Sequence, residues 1–155
     1  MASQIINIYN ALDAVSVTVK GKTPKVYDLE ELPESIHTAQ LPCRLLLPVG
    51  NDNAGEGRDG EFIAIGTGIT VNWTVKDLML WKPSEQGRGL SDFAPVLVEY
   101  CGLYADAMRS FKCPYANRAL ESFSMMPGMY EYPVGSGNWY AGVMCYLQIK
   151  EHISG

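Results

Sequence analysis

The sequence predicts an α+β protein, a mostly antiparallel sheet with a short N-terminal helix and one long helix packed on it. Three observations carry this expectation. Ile69, Val71, Trp73 and Val75 alternate with Thr70, Asn72, Thr74 and Lys76, the period of a strand with one buried face. Phe93, Leu97, Tyr100, Tyr104, Met108 and Phe111 recur at three and four residues, which lays one apolar stripe along a helix of roughly Ser91 to Phe111. Trp139, Ala141, Val143, Cys145, Leu147 and Ile149 then alternate again in a closing strand.

From the N-terminus, Ser3 can accept hydrogen bonds from the free amides of a first helical turn, and Ile5, Ile8, Tyr9 and Leu12 mark one face of that short helix. Ala14 to Val19 reads as a strand ended by Gly21, and Lys25 to Tyr27 as a short extended piece. A polar stretch, Asp28 to Gln40, is interrupted by Pro33. Leu45 to Val49 follows as a buried strand between Pro42 and Pro48, where a missing amide costs least. Gly50 to Gly60 holds glycines and charges with no apolar residue larger than alanine, so it reads as a mobile loop that orders only against a partner. Gly66-Thr67-Gly68 reads as a turn or bulge. After Trp73 the apolar set moves to Leu78 and Leu80, as a bulge near Lys76-Asp77 would explain.

Pro83, Gly87 and Gly89 mark a turn into the long helix, which Ser91 or Asp92 can cap, with Pro95 in the first turn and an end before Pro114. Met129 to Val134, the turn Gly135 to Asn138 and the strand from Trp139 form a hairpin. The second face of that strand carries Tyr140, Met144 and Tyr146, and a strand apolar on both faces must be covered twice. The second cover is either a neighbouring subunit or the N-terminal helix of the same chain.

At 155 residues the chain suits a single domain spanning 1–155. Its 12 basic residues are scattered among 17 acidic ones, and with no basic run tight nucleic-acid binding is disfavoured. The N-terminus lacks the pattern of a secretory signal, so a cytoplasmic site of synthesis is expected. Tyr132 to Ile149 is uncharged, but its proline, glycines and alternation read as a hairpin and not as a membrane span.

No cluster of His, Cys, Asp or Glu stands at a spacing that chemistry would need, so no enzyme, metal or cofactor is expected. Cys43, Cys101, Cys113 and Cys145 contain no CxxC pair and read as small apolar residues; a zinc site or a disulfide is the lesser reading. Asp52, Glu56 and Asp59 lack the ligand spacing of a helix-loop-helix calcium site. His37 and His152 have no local nucleophile signature nearby, Ser136 lies in a turn without the G-x-S-x-G elbow, and Asn72-Trp73-Thr74 is a glycosylation sequon inside a strand. Glu99 and Glu121 read as solvated carboxylates.

Leu41-Pro42-Cys43-Arg44-Leu45-Leu46-Leu47-Pro48, Trp73-Thr74-Val75-Lys76-Asp77-Leu78-Met79-Leu80-Trp81 with Gly87-Arg88-Gly89-Leu90-Ser91-Asp92, and Trp139-Tyr140-Ala141-Gly142-Val143 followed by alternation up to Glu151 stand in a characteristic element order. In these features the chain resembles the tail terminator and neck proteins of tailed bacteriophages. The resemblance implies a non-catalytic virion subunit, made in the host cytoplasm, that forms a homo-oligomeric ring, usually hexameric, on the tail tube protein and meets the head–tail connector protein. DNA would pass through the lumen without specific binding, and the net charge of −5 suits a wall that repels phosphate. The family supplies no catalytic residue. The expected contacts with neighbouring chains are Tyr140, Met144 and Tyr146 together with Asp52, Glu56, Arg58 and Asp59, the charged members of the loop. The alternatives are a head-completion, baseplate or other minor tail protein, an unrelated monomeric cytoplasmic binding domain, and an enzyme with an unrecognised site.

Overall fold

Two long antiparallel strands dominate the structure because their sequences are apolar on both faces. The computed structural model describes residues 5–48, 61–65, 68–84, 90–109, 111 and 118–154. In chain order these form α1 (Ile5–Asp13), β1 (Lys25–Tyr27), a 3-10 turn (Thr38–Gln40), β2 (Cys43–Leu47), β3 (Glu61–Ile65), β4 (Gly68–Ser84), α2 (Leu90–Met108), β5 (Arg118–Glu131) and β6 (Trp139–Ser154). The fold is α+β. Its six-stranded sheet has the order β1-β2-β4-β6-β5, with β3 also on β4. Every pairing is antiparallel except β1 with β2. β2 and β3 share one edge of β4, end to end, β2 against Lys76–Leu80 and β3 against Gly68–Asn72.

The 17 residues of β4 span about 55 Å at the usual rise of a strand. Pairing with β6 runs from Gly68 opposite Ser154 to Ser84 opposite Trp139. The bulge lies between Leu80 and Lys82, at Trp81, and not near Lys76-Asp77. No phase slip is needed at Lys76, because Val75, Asp77 and Met79 face one side while Leu78 and Leu80 face the other, and both sides are buried.

Both helices lie on the first face. Ile8, Tyr9 and Leu12 of α1 and Leu97, Tyr100, Tyr104 and Met108 of α2 form one core with Leu46, Val75, Met79, Val143, Cys145, Leu147 and Ile149. Helix α2 begins at Leu90, which puts Pro95 in its second turn and not its first; the carbonyl it leaves without an amide is that of Ser91, at the exposed helix end. Residues 14–19 are not a strand. Positive φ at Lys20 and Gly21 turns the chain so that Val19 and Lys22 pair only with each other, while the Val15 carbonyl is taken by Arg44.

Arg44 and Asp77 are fully buried in this core. Arg44 Nη2 lies 2.6 Å from Asp77 Oδ2 and donates also to the Leu12 carbonyl at 3.4 Å; Nε donates to Oδ1 at 3.3 Å, and Nη1 to the Val15 carbonyl. Tyr104 donates from its hydroxyl to Asp77 Oδ2 at 2.8 Å, with its ring 5.7 Å from the guanidinium carbon. One ion pair thus joins β2, β4, α2 and the carbonyls at the end of α1, which have no partner within the helix. Burial pulls the Arg44 pKa down, but the charge and hydrogen bond of Asp77 outweigh it and hold the group above its ordinary value.

Removing Asp77 leaves a buried cation, so Asp77→Ala is expected to cost about 3–5 kcal/mol in urea denaturation, and Tyr104→Phe only about 1 kcal/mol. Gly142 faces the Trp81 bulge so closely that a Cβ there would lie 2.1 Å from the Met79 carbonyl oxygen. Backbone must move to accept it, and Gly142→Ala is expected to destabilise by at least about 2 kcal/mol in the same measurement.

Candidate functional site: the second face of the sheet

Strand alternation places Cys43 and Leu45 of β2, Leu78 and Leu80 of β4, and Tyr140 and Met144 of β6 on the face opposite the helices, where they form a second buried cluster. Tyr146 is half-buried at its margin. The cover is not α1, which lies on the other face. Residues 30–41 cross this face, and Leu32, Ile36 and Leu41 pack on the cluster. Tyr140 donates to the Ile36 carbonyl at 3.3 Å, and Tyr132 donates to the Pro33 carbonyl.

Where this cover stops, a groove of about 450 Å³ opens, lined by Leu32, Leu47, Lys76, Leu78, Tyr130, Tyr132, Val134, Met144 and Tyr146 among others. Lys76 stands opposite Leu47 and Tyr146 in the ladder and is buried. Met126, opposite Met144 on β5, is 56% exposed, and Val134 in the hairpin turn is 68% exposed. The turn is fixed by Glu131, whose two carboxylate oxygens accept from the amides of Gly135 and Gly137 at 2.8 and 2.9 Å. Both glycines have positive φ, 85° and 79°, which the turn requires. Burial raises the Tyr130 hydroxyl to about 12, and it donates to the Met126 carbonyl.

Of the interface residues expected from sequence, Tyr140 and Met144 are therefore buried within the chain, Tyr146 borders the groove, and Asp52, Glu56, Arg58 and Asp59 lie outside the described residues. Sequence reading missed Lys76 and the Arg44–Asp77 pair; lone charges inside apolar strand runs were the available signal. Among the described residues no three His, Cys, Asp or Glu come together as a metal site would need, and no helix is long and apolar enough to cross a membrane. Glu99 pairs with Lys20 at 3.3 Å on the surface, and His152 meets the Thr70 hydroxyl at 3.3 Å. Cys43, Cys101 and Cys145 are free thiols. No family model matches the chain, and no curated protein matches it.

Burial pushes the Cys43 and Cys145 thiols from 9.0 up to about 12, so the folded state holds these protons more tightly than the unfolded chain. The stability they contribute is complete below pH 9 and is lost as pH rises from 9 towards 12, by up to about 1.4 kcal/mol per pH unit for each thiol. The urea midpoint is expected to be flat from pH 7 to 8.5 and to fall by pH 10.5. A Cys43→Ala, Cys145→Ala double variant should show a shallower fall.

Proposed function

We propose that the chain is a structural virion protein of the tail terminator or neck type. It assembles with copies of itself into a ring that caps the tail tube and joins it to the head connector, with DNA passing through the lumen. The supporting observation is the placement of exposed apolar side chains on two opposite sides of the sheet. Val98 (62% exposed) and Ile6 (58%) lie on the helical side, while Met126 and Val134 flank the groove on the other. A closed ring is built from a heterologous contact, in which one surface of a subunit meets a different surface of the next, and it needs such a pair of patches. The acidic balance is compatible with a wall past which a duplex slides.

A monomeric binding domain is the second reading, and the largely apolar groove favours it.

Sedimentation with light scattering at rising concentration, followed by electron microscopy, distinguishes the two. Under the ring proposal the protein forms a closed oligomer, and Val98→Asp and Met126→Asp each keep the circular dichroism of the parent but stay monomeric. Mixed together, these variants should form a dimer and stop there, because one intact copy of each patch remains. A protein that stays monomeric, or rings indifferent to both substitutions, would sink the proposal.

A further inference from the structure

The segment that covers the second face is itself nowhere buried: every residue from 30 to 41 is exposed or half-exposed, while Cys43, Leu45, Leu80 and Tyr140 beneath it are almost completely shielded. Its backbone bonds are local, Gln40 to His37 at 2.8 Å and Leu41 to Thr38 at 3.2 Å, and no ladder joins it to the sheet. Two tyrosine hydroxyls at the hairpin end, Tyr132 and Tyr140, tie its carbonyls down, and Gln40 adds a 3.3 Å bond to the Tyr27 hydroxyl. On the first face α1 and α2 are regular helices, held there through the Arg44–Asp77 pair.

We infer that residues 30–41 form a strap that opens as a unit while the helical core stays folded, uncovering an apolar sheet surface continuous with the groove. The inference does not depend on ring assembly. Few buried contacts and exposed local hydrogen bonds are the properties of segments that open well below the global unfolding free energy. An open strap frees Leu45, Leu80 and Tyr140 as a surface beside Leu78 and Met144, while the β2–β4 ladder is left intact.

The two buried thiols report the two faces separately. Cys43 lies in the cluster under the strap, and Cys145 lies in the core under the helices. Closed, both are shielded from reagent, with exposures of 0% and 1%. Labelling of the full chain with iodoacetamide, read at each cysteine by peptide mass spectrometry, is expected to modify Cys43 at least about tenfold faster than Cys145, as a sub-global opening requires. Tyr132→Phe with Tyr140→Phe removes two tethers without changing shape, and should speed Cys43 by roughly five- to tenfold while leaving Cys145 unchanged. Equal rates at the two thiols, or a double variant that speeds both together, would overturn the strap. Hydrogen exchange gives an independent reading: the amides of Gln40 and Leu41 should exchange faster than those of β4 and β6, and equal protection would count against it.

Discussion

The fold depends on the buried contact between Arg44 and Asp77. Each charge sits within an apolar strand, where burying it without a partner would be costly. Their bidentate geometry satisfies the carboxylate, and the remaining guanidinium donors reach the carbonyls of Leu12 and Val15. Tyr104 completes the set from the long helix. A hydrophobic pair of similar volume could hold β2 and β4 together, but it would specify neither where α1 stops nor how α2 is rotated. The ion pair fixes both, because only one placement of each helix brings its acceptor or donor to the buried charges.

Much of this was legible in the sequence, for physical reasons that differ by element. The α2 stripe and the β6 alternation were clear because each has a face whose period matches its geometry, and the hairpin was clear because its turn needs glycine. The phase of β4 was misread because a strand buried on both faces has no period to read; the same ambiguity hid the bulge at Trp81. Residues 14–19 have strand-like composition, yet the partner of their backbone is a side chain from β2, which no local pattern records. Met144 and Tyr146 were visible as apolar residues needing cover. That the cover is the polar-looking stretch of 30–41 was not, since it contributes only Leu32, Ile36 and Leu41 among acidic and small residues.

The two faces of the sheet are thus covered by different means. On one side two helices bury a broad core and are held by charge-assisted hydrogen bonds; on the other a single irregular segment rests on a smaller cluster and leaves a groove beside it. On the first face Arg44, Asp77 and Tyr104 satisfy one another by hydrogen bonds, which favours one arrangement over near neighbours. The cover of the second face combines non-directional apolar contact with a few hydrogen bonds from Tyr132, Tyr140 and Gln40.

The register of β4 with β6, continuous apart from the Trp81 bulge, also gives the molecule a mechanical direction. Tension applied along the strands from opposite ends shears the ladder, so its hydrogen bonds share the force and must yield nearly together. Tension applied across the strands at one end of that ladder opens it like a zipper, one bond at a time. The β4–β6 ribbon is therefore stiff along its length and compliant to peeling, whichever way the subunit is set among its neighbours.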